Sequence, residues 1–403
     1  MNISIDEDKI QELLTRGVEH VYPKPDFLAA RLKSGEQLTL YTGYDPTAPT
    51  LHIGHGITLL KLRQFQDLGH KVIMLIGDFT GMIGDPTDKL ATRKQLTREE
   101  VIVNAKNYQK QASNILDFEG DNPVEVRYNS EWSDLMTLRD FFPLAAKLTV
   151  PQLLERDMFQ ERLREGGTIH LHEFLYPVMQ GYDSVAMKVN GEVGGNDQTF
   201  NMLAGRDLMK ELVRDDKGNP WEKFVLTVKL LADSSGKKMG KSEGNMVAFT
   251  DSAEDMFGKV MSWTDGIILS AFELCTRVPM TEIEAMKKNM ESGANPRDFK
   301  LRLAYEITKT FLGEDMAKKG EANFHAVIQN KDKPSDIPEL KPSTYDIITI
   351  LVESKLCSSN SDARRAIEGA GVKVNDVKVE SFEMQVATGD VVQKGKRFFV
   401  KVL

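Results

Sequence analysis

Residues 37–76 follow the pattern strand, turn, helix, strand, which constrains the fold more than any other feature of the chain. Residues 37–44 are largely apolar and end at a glycine turn, and residues 55–68 carry apolar side chains at helical spacing. Residues 71–76 are a continuous apolar run, which is typical of a parallel strand buried on both faces. This stretch therefore predicts a βαβ unit, and the first half of the chain is expected to be a doubly wound sheet.

Two short motifs indicate a nucleotide site on this sheet. Residues 52–55 read His-Ile-Gly-His at the turn that opens the predicted helix, and residues 237–242 read Lys-Lys-Met-Gly-Lys-Ser. Glycine lets a base or ribose approach the backbone, a helix N-terminus favours anionic oxygens, and mobile ammonium groups can follow the charge on phosphates. The pair therefore suits a nucleoside triphosphate. The alternative is a helix cap followed by an unrelated, solvated lysine loop.

In this order, with an α/β pattern between them, the two motifs resemble the HIGH and KMSKS signatures of class I aminoacyl-tRNA synthetases. Residues 41–48 and 176–183 narrow the resemblance, because they are similar to the first motif and the amino-acid-binding helix of bacterial-type tyrosyl-tRNA synthetases. Residues 81–86 and 194–198 match two further motifs of that family. The resemblance implies an ATP-dependent tyrosine–tRNA ligase with a Rossmann-like catalytic domain.

Two residues depart from the family pattern. Gly240 stands where the second signature usually has serine, and Asn196 stands where serine or threonine is commoner. Both lysines of the signature remain, and Asn196 is still small and polar. Neither departure therefore predicts a loss of activity.

The resemblance places a tyrosine pocket around Tyr41 and Asp183. The phenol oxygen of tyrosine both donates and accepts, and a buried hydroxyl and a buried carboxylate would satisfy both functions. Phenylalanine would leave them unpaired, a penalty already measured for this enzyme family as a discrimination of roughly 10⁵ without editing. The other residues that the resemblance assigns to tyrosine bind its ammonium group or orient it: Asp85, Tyr176, Gln180 and Gln198.

The resemblance also implies how ATP is held and how it reacts. The tyrosine carboxylate attacks the α-phosphorus and pyrophosphate leaves, so alignment and cations lower the barrier. Mg²⁺ comes bound to the ATP phosphates, and no protein-bound metal site is expected. The implied ATP contacts are Gly43, Asp45, Thr47, His52, Gly54, His55, Gly195, Asp197, Lys238, Met239, Lys241 and Ser242. The implied catalytic residues are His52, His55, Lys238, Lys241 and Thr47, with Lys89 and Arg93 from a second loop.

Four segments are predicted. Residues 1–232 form the catalytic domain, residues 233–330 the lysine loop and an α-helical anticodon-binding domain, and residues 331–343 a proline-rich linker. Residues 344–403 resemble a small α+β RNA-binding fold known from a ribosomal small-subunit protein. Its candidate RNA contacts are Lys355, Arg364, Arg365, Lys373 and Lys396, although interspersed acidic residues also fit a merely solvated surface.

Composition limits the partners and the compartment. The 403 residues are 41% hydrophobic with a net charge of −8, which neither requires nor excludes a local RNA-binding surface. No apolar run predicts a membrane span, the first residues are acidic, and two distant cysteines suit a reducing compartment, so we expect a cytoplasmic protein. The resemblance implies a homodimer with contacts around residues 129–151.

Three rival interpretations stay open at this point. A tryptophan-specific relative would share the fold without the Tyr41 and Asp183 pair. A small-molecule adenylating or nucleotidyl-transfer enzyme would have no use for the helical bundle and RNA-binding tail. An RNA-binding protein on an inactive synthetase scaffold would be expected to lose His52, His55 or the loop lysines, and all of these are present.

Overall fold

The computed structural model describes residues 3–86, 96–232, 246–326, 337–395 and 398–403. The chain divides into two compact units, Met1–Gly320 and Glu321–Leu403. The first unit covers the predicted catalytic domain and most of the helical segment, and the second covers the predicted tail. The four domain boundaries predicted from the sequence stay predictions.

A six-stranded sheet forms the centre of the first unit. Its strands lie in the order β1-β6-β5-β2-β3-β4, and all neighbours are parallel except β1 and β6. The strands are β1 Val18–Tyr22, β2 Thr39–Tyr44, β3 Lys71–Ile76, β4 Glu125–Tyr128, β5 Gly191–Gly195 and β6 Phe224–Val228. The chain order reverses between β2 and β5, which is where ligands bind in open parallel sheets.

Seventeen α-helices of the first unit can be traced along the described residues. Those of the sheet region are α1 Glu7–Thr15, α2 Pro25–Lys33, α3 Ile53–Asp67, α4 Thr80–Ile83, α5 Arg98–Ala105, α6 Tyr108–Ala112, α7 Ser130–Ser133, α8 Leu138–Ala145, α9 Val150–Leu154, α10 Asp157–Arg164, α11 Leu171–Met187 and α12 Thr199–Leu212. Those of the following bundle are α13 Ala253–Met261, α14 Ile268–Cys275, α15 Met280–Glu291, α16 Pro296–Leu312 and α17 Glu314–Phe324, whose last residues belong to the second unit.

The predicted βαβ unit is present as β2, α3 and β3. Helix α3 is capped at its start by His52, whose Nδ1 accepts a hydrogen bond from the Gly54 amide at 3.1 Å. Its apolar face is fully buried, with no exposure at Leu59, Leu62 or Phe65. Burial of these side chains against the sheet supplies most of the stability of such a helix.

Apolar residues at helical spacing over residues 5–20 predict a single helix, and this prediction is wrong at its end. Helix α1 ends at Thr15, and strand β1 follows it and pairs antiparallel with β6. Gly17 has a φ of +64°, a left-handed conformation that ends the helix and turns the chain toward the sheet edge. The edge of β6 then offers backbone hydrogen bonds that helical periodicity alone could not reveal.

Helical periodicity also predicts single helices over residues 97–116 and 150–164, and each of these is divided in two. Residues 97–116 form α5 and α6, and residues 150–164 form α9 and α10. In the second case Arg156 takes an extended conformation just before α10, with a ψ of 129°. The helical period continues across both breaks, so the sequence pattern did not locate them.

The second unit is a small α+β fold. Helices α18 Ile347–Glu353 and α19 Asn360–Glu368 accompany a five-stranded sheet of order β7-β11-β10-β8-β9. Its strands are β7 Glu339–Leu340, β8 Val372–Val374, β9 Val377–Lys378, β10 Val391–Lys394 and β11 Phe398–Val402. Strand β7 lies within the segment predicted as a linker and pairs with β11. Ile347, Ile350 and Leu351 join the sheet's valines in one buried core.

Candidate active site

The predicted tyrosine pocket lies where the chain order of the sheet reverses. Tyr41 on β2 pairs directly with Glu192 on β5, so the two side chains flank the reversal point. Helix α11 brings Tyr176, Gln180 and Asp183 to this place, because spacings of four and three residues put them on one helical face. The structure therefore brings together the residues of the predicted tyrosine pocket that lie on β2 and α11.

Tyr41 and Asp183 are both buried in this pocket, with 0% and 2% of their surface exposed. The Tyr41 hydroxyl lies 2.9 Å from the Ser184 hydroxyl. Burial raises the pKa of Tyr41 well above its ordinary value, and the nearby charges of Glu192 and Asp183 raise it further. Tyr41 therefore keeps its proton at neutral pH and can donate a hydrogen bond.

Two N–H groups hold the Asp183 carboxylate in place. Trp132 donates from Nε1 to Oδ1 at 2.8 Å, and Asn129 donates from Nδ2 to Oδ2 at 3.3 Å. Burial raises the pKa of Asp183 well above its ordinary value, while these two donors act in the opposite direction. Neither residue is among those predicted for the pocket, because Asn129 and Trp132 lie in the segment 129–151 that was predicted to make dimer contacts.

Asp45, which the resemblance assigns to ATP, also contacts the helix of the tyrosine pocket. Tyr176 donates to its Oδ2 at 2.8 Å and Thr80 donates to its Oδ1 at 2.7 Å. Gly77 leaves the room for this carboxylate, because a Cβ there would lie 1.9 Å from Asp45 Oδ1. Burial raises the pKa of Tyr176, with further contributions from the charges of Asp45 and Asp85.

The remaining residues predicted to bind tyrosine are Asp85, Gln198 and Gln180. Gln198 donates from Nε2 to Asp85 Oδ2 at 2.6 Å, and its own carbonyl accepts from Asn201 at 3.0 Å. Gln180 donates from Nε2 to Glu192 Oε1 at 3.1 Å. These bonds connect the residue Gln198 after β5 with Asp85 after α4, and Gln180 on α11 with Glu192 on β5.

Behind Tyr41 lies a buried charged pair that sequence reasoning missed. Lys223 forms an ion pair with Glu192 and donates to Ser184 at 2.7 Å, with no exposed surface. Burial lowers the pKa of Lys223, and the adjacent Glu192 carboxylate opposes that shift. A charged residue just before an apolar strand is usually solvated, so no local pattern indicates that Lys223 is buried.

The His-Ile-Gly-His turn contains three of the residues predicted to bind ATP, which are His52, Gly54 and His55. The His52 and His55 rings stack with centroids 3.8 Å apart, and His55 Nδ1 accepts from the His52 amide at 3.2 Å. Tyr44 lies edge-on to His55 at 5.7 Å. At Gly54 a Cβ would come within 2.9 Å of the His52 ring, so glycine is needed for this close packing.

The other predicted ATP contacts lie at the same ends of the strands. Gly43 is on β2 and exposed, and the Thr47 amide donates to the Asp45 carbonyl at 2.8 Å in the loop that follows. Gly195 ends β5, and a Cβ on it would lie 2.5 Å from Asp197 Oδ1. Glycine at 195 therefore leaves room for the Asp197 carboxylate.

Several predicted site residues lie outside the described part of the chain. These are Lys89, Arg93, Lys238, Met239, Lys241, Ser242 and Lys396. Of the predicted RNA contacts, Lys355, Arg364 and Arg365 are exposed, and Lys373 is half-buried on β8. Arg364 lies over the Phe382 ring at 5.8 Å.

The described ranges contain neither a metal-binding cluster of side chains nor a helix that could span a membrane. In residues 3–86, 96–232, 246–326, 337–395 and 398–403, no three His, Cys, Asp or Glu side chains are grouped so that they could hold a metal ion. Over the same ranges, no helix has the length and apolar character that crossing a membrane requires.

Comparison with known proteins identifies the class. The family described as tRNA synthetases class I (W and Y) matches residues 33–329, and the family described as the tyrosine–tRNA ligase SYY-like C-terminal domain matches residues 329–401. The fold and the site thus define a class I aminoacyl-tRNA synthetase, with the predicted α/β catalytic fold and C-terminal domain. This class agrees with the HIGH-like turn at the start of α3.

Individual relatives narrow the class further. A tyrosine–tRNA ligase of Bordetella avium is 44% identical over 96% of this chain and 94% of its own. One of Thermotoga maritima is 42% identical over 97% of this chain and 96% of its own. The crystal structure of a C-terminally truncated mitochondrial tyrosyl-tRNA synthetase of Coccidioides posadasii covers 78% of this chain and 91% of its own, with 26% identity and a TM-score of 0.63. The chain belongs to the tyrosine–tRNA ligase family, which confirms the family and the enzyme class predicted from the sequence.

Proposed function

We propose that the chain joins L-tyrosine to ATP as tyrosyl-adenylate, releases pyrophosphate, and transfers the tyrosyl group to the 3′ end of a tyrosine tRNA. The observation that carries this proposal is the buried pair Tyr41 and Asp183 at the reversal point of the sheet. The phenol of tyrosine would accept from Tyr41 and donate to Asp183. Tryptophan has no hydroxyl for this pair, which argues against the tryptophan-specific rival.

The rest of the tyrosine molecule is assigned to the opening of the pocket. Its ammonium group would bind Asp85, Tyr176 and Gln180, which offer oxygen acceptors around one space. Gln198 would orient the amino acid through its bond to Asp85. Asp45 is held by Tyr176 and Thr80, so we assign it to shaping this region as well as to the nucleotide.

ATP would lie across the strand ends and the start of α3. Thr47, His52 and His55 would contact its phosphates and ribose, and Gly43, Gly54, Gly195 and Asp197 would admit the base and sugar. Lys89, Arg93, Lys238 and Lys241, with Met239 and Ser242 beside them, would stabilise charge on the leaving pyrophosphate. Mg²⁺ would arrive as part of the ATP substrate.

The proposal extends to partners and compartment. The second unit would contact tRNA phosphates through Lys355, Arg364, Arg365, Lys373 and Lys396. We also propose a homodimer in the cytoplasm. Exposed apolar side chains within residues 129–151 support the dimer, because Leu135, Leu138 and Phe142 expose 78%, 71% and 64% of their surface.

The test is amino-acid-dependent exchange of pyrophosphate into ATP without tRNA. Exchange with tyrosine, and none above background with phenylalanine or tryptophan, is the expected result. Exchange with tryptophan would keep the class and overturn the pocket assignment. Absence of exchange with all three, in protein shown to be folded by circular dichroism, would contradict the proposed activity.

A further inference from the structure

The buried pair Lys223 and Glu192 contacts the tyrosine pocket on two sides without facing the substrate. Both side chains are almost completely buried, at 0% and 2% exposed. Burying two charges costs more free energy than their attraction returns unless further hydrogen bonds satisfy them. Here the further bonds lead to Ser184, which contacts Tyr41, and to Gln180, which is itself assigned to the substrate.

The first connection runs through Ser184 to Tyr41. An ammonium group only donates, so the Ser184 oxygen accepts from Lys223 at 2.7 Å and keeps its own hydrogen. The Tyr41 oxygen is 2.9 Å from Ser184 Oγ, whereas Glu192 Oε2 is 3.5 Å away. At 3.5 Å the contact with Glu192 is at the limit of a hydrogen bond, so the Ser184 hydrogen is assigned to Tyr41. Tyr41 then accepts from Ser184, and its own hydrogen, which can also bond to Glu192, would be donated to the phenol oxygen of the substrate.

The second connection runs from Glu192 to Gln180. A carboxylate only accepts, so the Gln180 atom that faces Glu192 at 3.1 Å is the amide nitrogen. This fixes which way the amide points. Its carbonyl oxygen Oε1 is buried and has no hydrogen-bond partner among the described residues. A buried acceptor without a partner is costly, and the substrate ammonium would satisfy it.

The packing around Lys223 leaves room for the ammonium group and little more. Gly205 on α12 faces it, and a Cβ there would lie 2.9 Å from Lys223 Nζ and 3.1 Å from Ser184 Oγ. Lys223 also donates to the Met202 carbonyl at 3.3 Å. The ammonium group is thus held at one position, as the two connections require.

We propose that Lys223 and Glu192 act as one positioning pair that sets the hydrogen-bond direction at both ends of the tyrosine pocket. Lys223 makes Tyr41 a donor to the phenol through Ser184, and Glu192 makes Gln180 an acceptor for the ammonium. The inference rests on the proposed roles of Tyr41 and Gln180 in binding tyrosine. It assigns specificity to two residues that do not touch the substrate.

The experiment measures, by equilibrium dialysis of the full-length chain, the affinity for tyrosine relative to the affinities for two analogues. Labelled tyrosine is competed with phenylalanine, which lacks the hydroxyl, and with 3-(4-hydroxyphenyl)propionate, which lacks the ammonium group. In Ser184→Ala we expect the preference for tyrosine over phenylalanine to fall about tenfold, with the preference over the second analogue unchanged. In Lys223→Met/Glu192→Leu, which removes both charges together, we expect both preferences to fall about tenfold or more.

The matched control is Lys61→Met. Lys61 is also a buried lysine, but it donates to the Leu13 and Arg16 carbonyls at 2.7 and 2.8 Å, away from the pocket. This variant is expected to lose stability and to keep both preferences within about twofold. A destabilised core would weaken binding of all three ligands together, so the ratios separate positioning from a structural role.

Two results would overturn the proposal. One is unchanged preferences in the folded double variant, and the other is an equal loss of preference in Lys61→Met. If the wild-type chain binds tyrosine but shows no pyrophosphate exchange, the proposed catalytic activity fails while the dialysis ratios still decide the role of the pair.

Discussion

At the scale of single residues, selectivity for a phenol depends on how the pocket prepares its two polar groups. Trp132 and Asn129 donate N–H groups to the Asp183 oxygens, and these bonds oppose the burial that raises the pKa of this carboxyl group. Asp183 can then accept a further hydrogen bond, which phenylalanine cannot supply. The proposed pocket would discriminate by leaving these groups unpaired with the wrong ligand.

We predict that Asp183→Asn strongly weakens tyrosine activation. The asparagine amide would turn an N–H group toward one of the two existing donors, so one buried donor would lose its acceptor. Loss of a buried, hydrogen-bonded charge typically costs about 2–5 kcal/mol, so kcat/KM for tyrosine in pyrophosphate exchange should fall by at least about thirtyfold. The control is Asp207→Asn, an exposed carboxylate on α12 that should leave exchange unchanged. Wild-type exchange in the Asp183 variant would remove this carboxylate from the pocket.

His70 gives the chain a pH-dependent stability. It is fully buried, its Nδ1 accepts from the Leu38 amide at 3.2 Å, and burial together with the Arg31 charge lowers its pKa to about 4. The unfolded chain takes up this proton near the ordinary value of about 6.5. The free energy of unfolding should therefore decrease as the pH falls from about 6.5 to about 4, by up to roughly 1.4 kcal/mol per pH unit from this group.

The measurement is urea unfolding of wild type and His70→Asn at several values of pH between 4 and 7. Asparagine keeps an acceptor near the Leu38 amide but does not titrate. The difference in unfolding free energy between the two proteins should shrink as the pH falls. A constant difference over this range would show that His70 does not titrate as its burial requires.

At the scale of elements, close helix packing explains why some glycines are fixed. In α3, a Cβ on Gly56 would lie 2.4 Å from the Phe311 ring of α16, so the two helices meet at this point. In α13, Gly258 has no atom within 4 Å of such a Cβ. The two glycines are both helical but differ in what they face.

We predict opposite effects of alanine at these two positions. Gly56→Ala should lower the free energy of unfolding by about 1–3 kcal/mol through overpacking against Phe311. Gly258→Ala should raise it by up to about 1 kcal/mol, because alanine is the better helix former and meets nothing. Urea unfolding compares both with wild type. An equal effect of the two substitutions would contradict the packing of α3 against α16.

The elements also show what sequence could reveal. The βαβ unit was predictable, because continuous apolar runs and helical periodicity are local signals. Strand β1 was not, because its identity depends on pairing with β6, which lies far along the chain. The burial of Lys223 was not predictable either, because its partners Glu192 and Ser184 meet it only after folding. Tyr41 and Asp183 were accessible only because the family resemblance connected them.

At the scale of the whole molecule, the two compact units suggest a division of work. The first contains the predicted pocket residues, and the second is a small fold with its own buried core. Activation of an amino acid needs only the first kind of site, whereas tRNA binding gains from an additional cationic surface. Changes confined to the second unit should therefore separate the two steps of the reaction.

Arg364 and Arg365 are the residues that test this division. Both are exposed on α19, so their removal should not disturb the core of the second unit. In Arg364→Ala/Arg365→Ala we expect pyrophosphate exchange within about twofold of wild type and a KM for tRNA raised about tenfold. If both contact phosphates, the dependence of log affinity on log salt should become shallower by about 1 to 2.

The control removes the same charge elsewhere, in Lys9→Ala/Lys33→Ala on α1 and α2, where both lysines are exposed. That variant changes the net charge equally, so a loss of tRNA affinity from overall charge alone would show in both proteins. A loss restricted to the α19 variant, with a shallower salt dependence, would locate the tRNA contact on the second unit. Equal salt dependence in wild type and the α19 variant would mean that these arginines belong to a solvated surface, the alternative that their acidic neighbours Asp362 and Glu368 leave open.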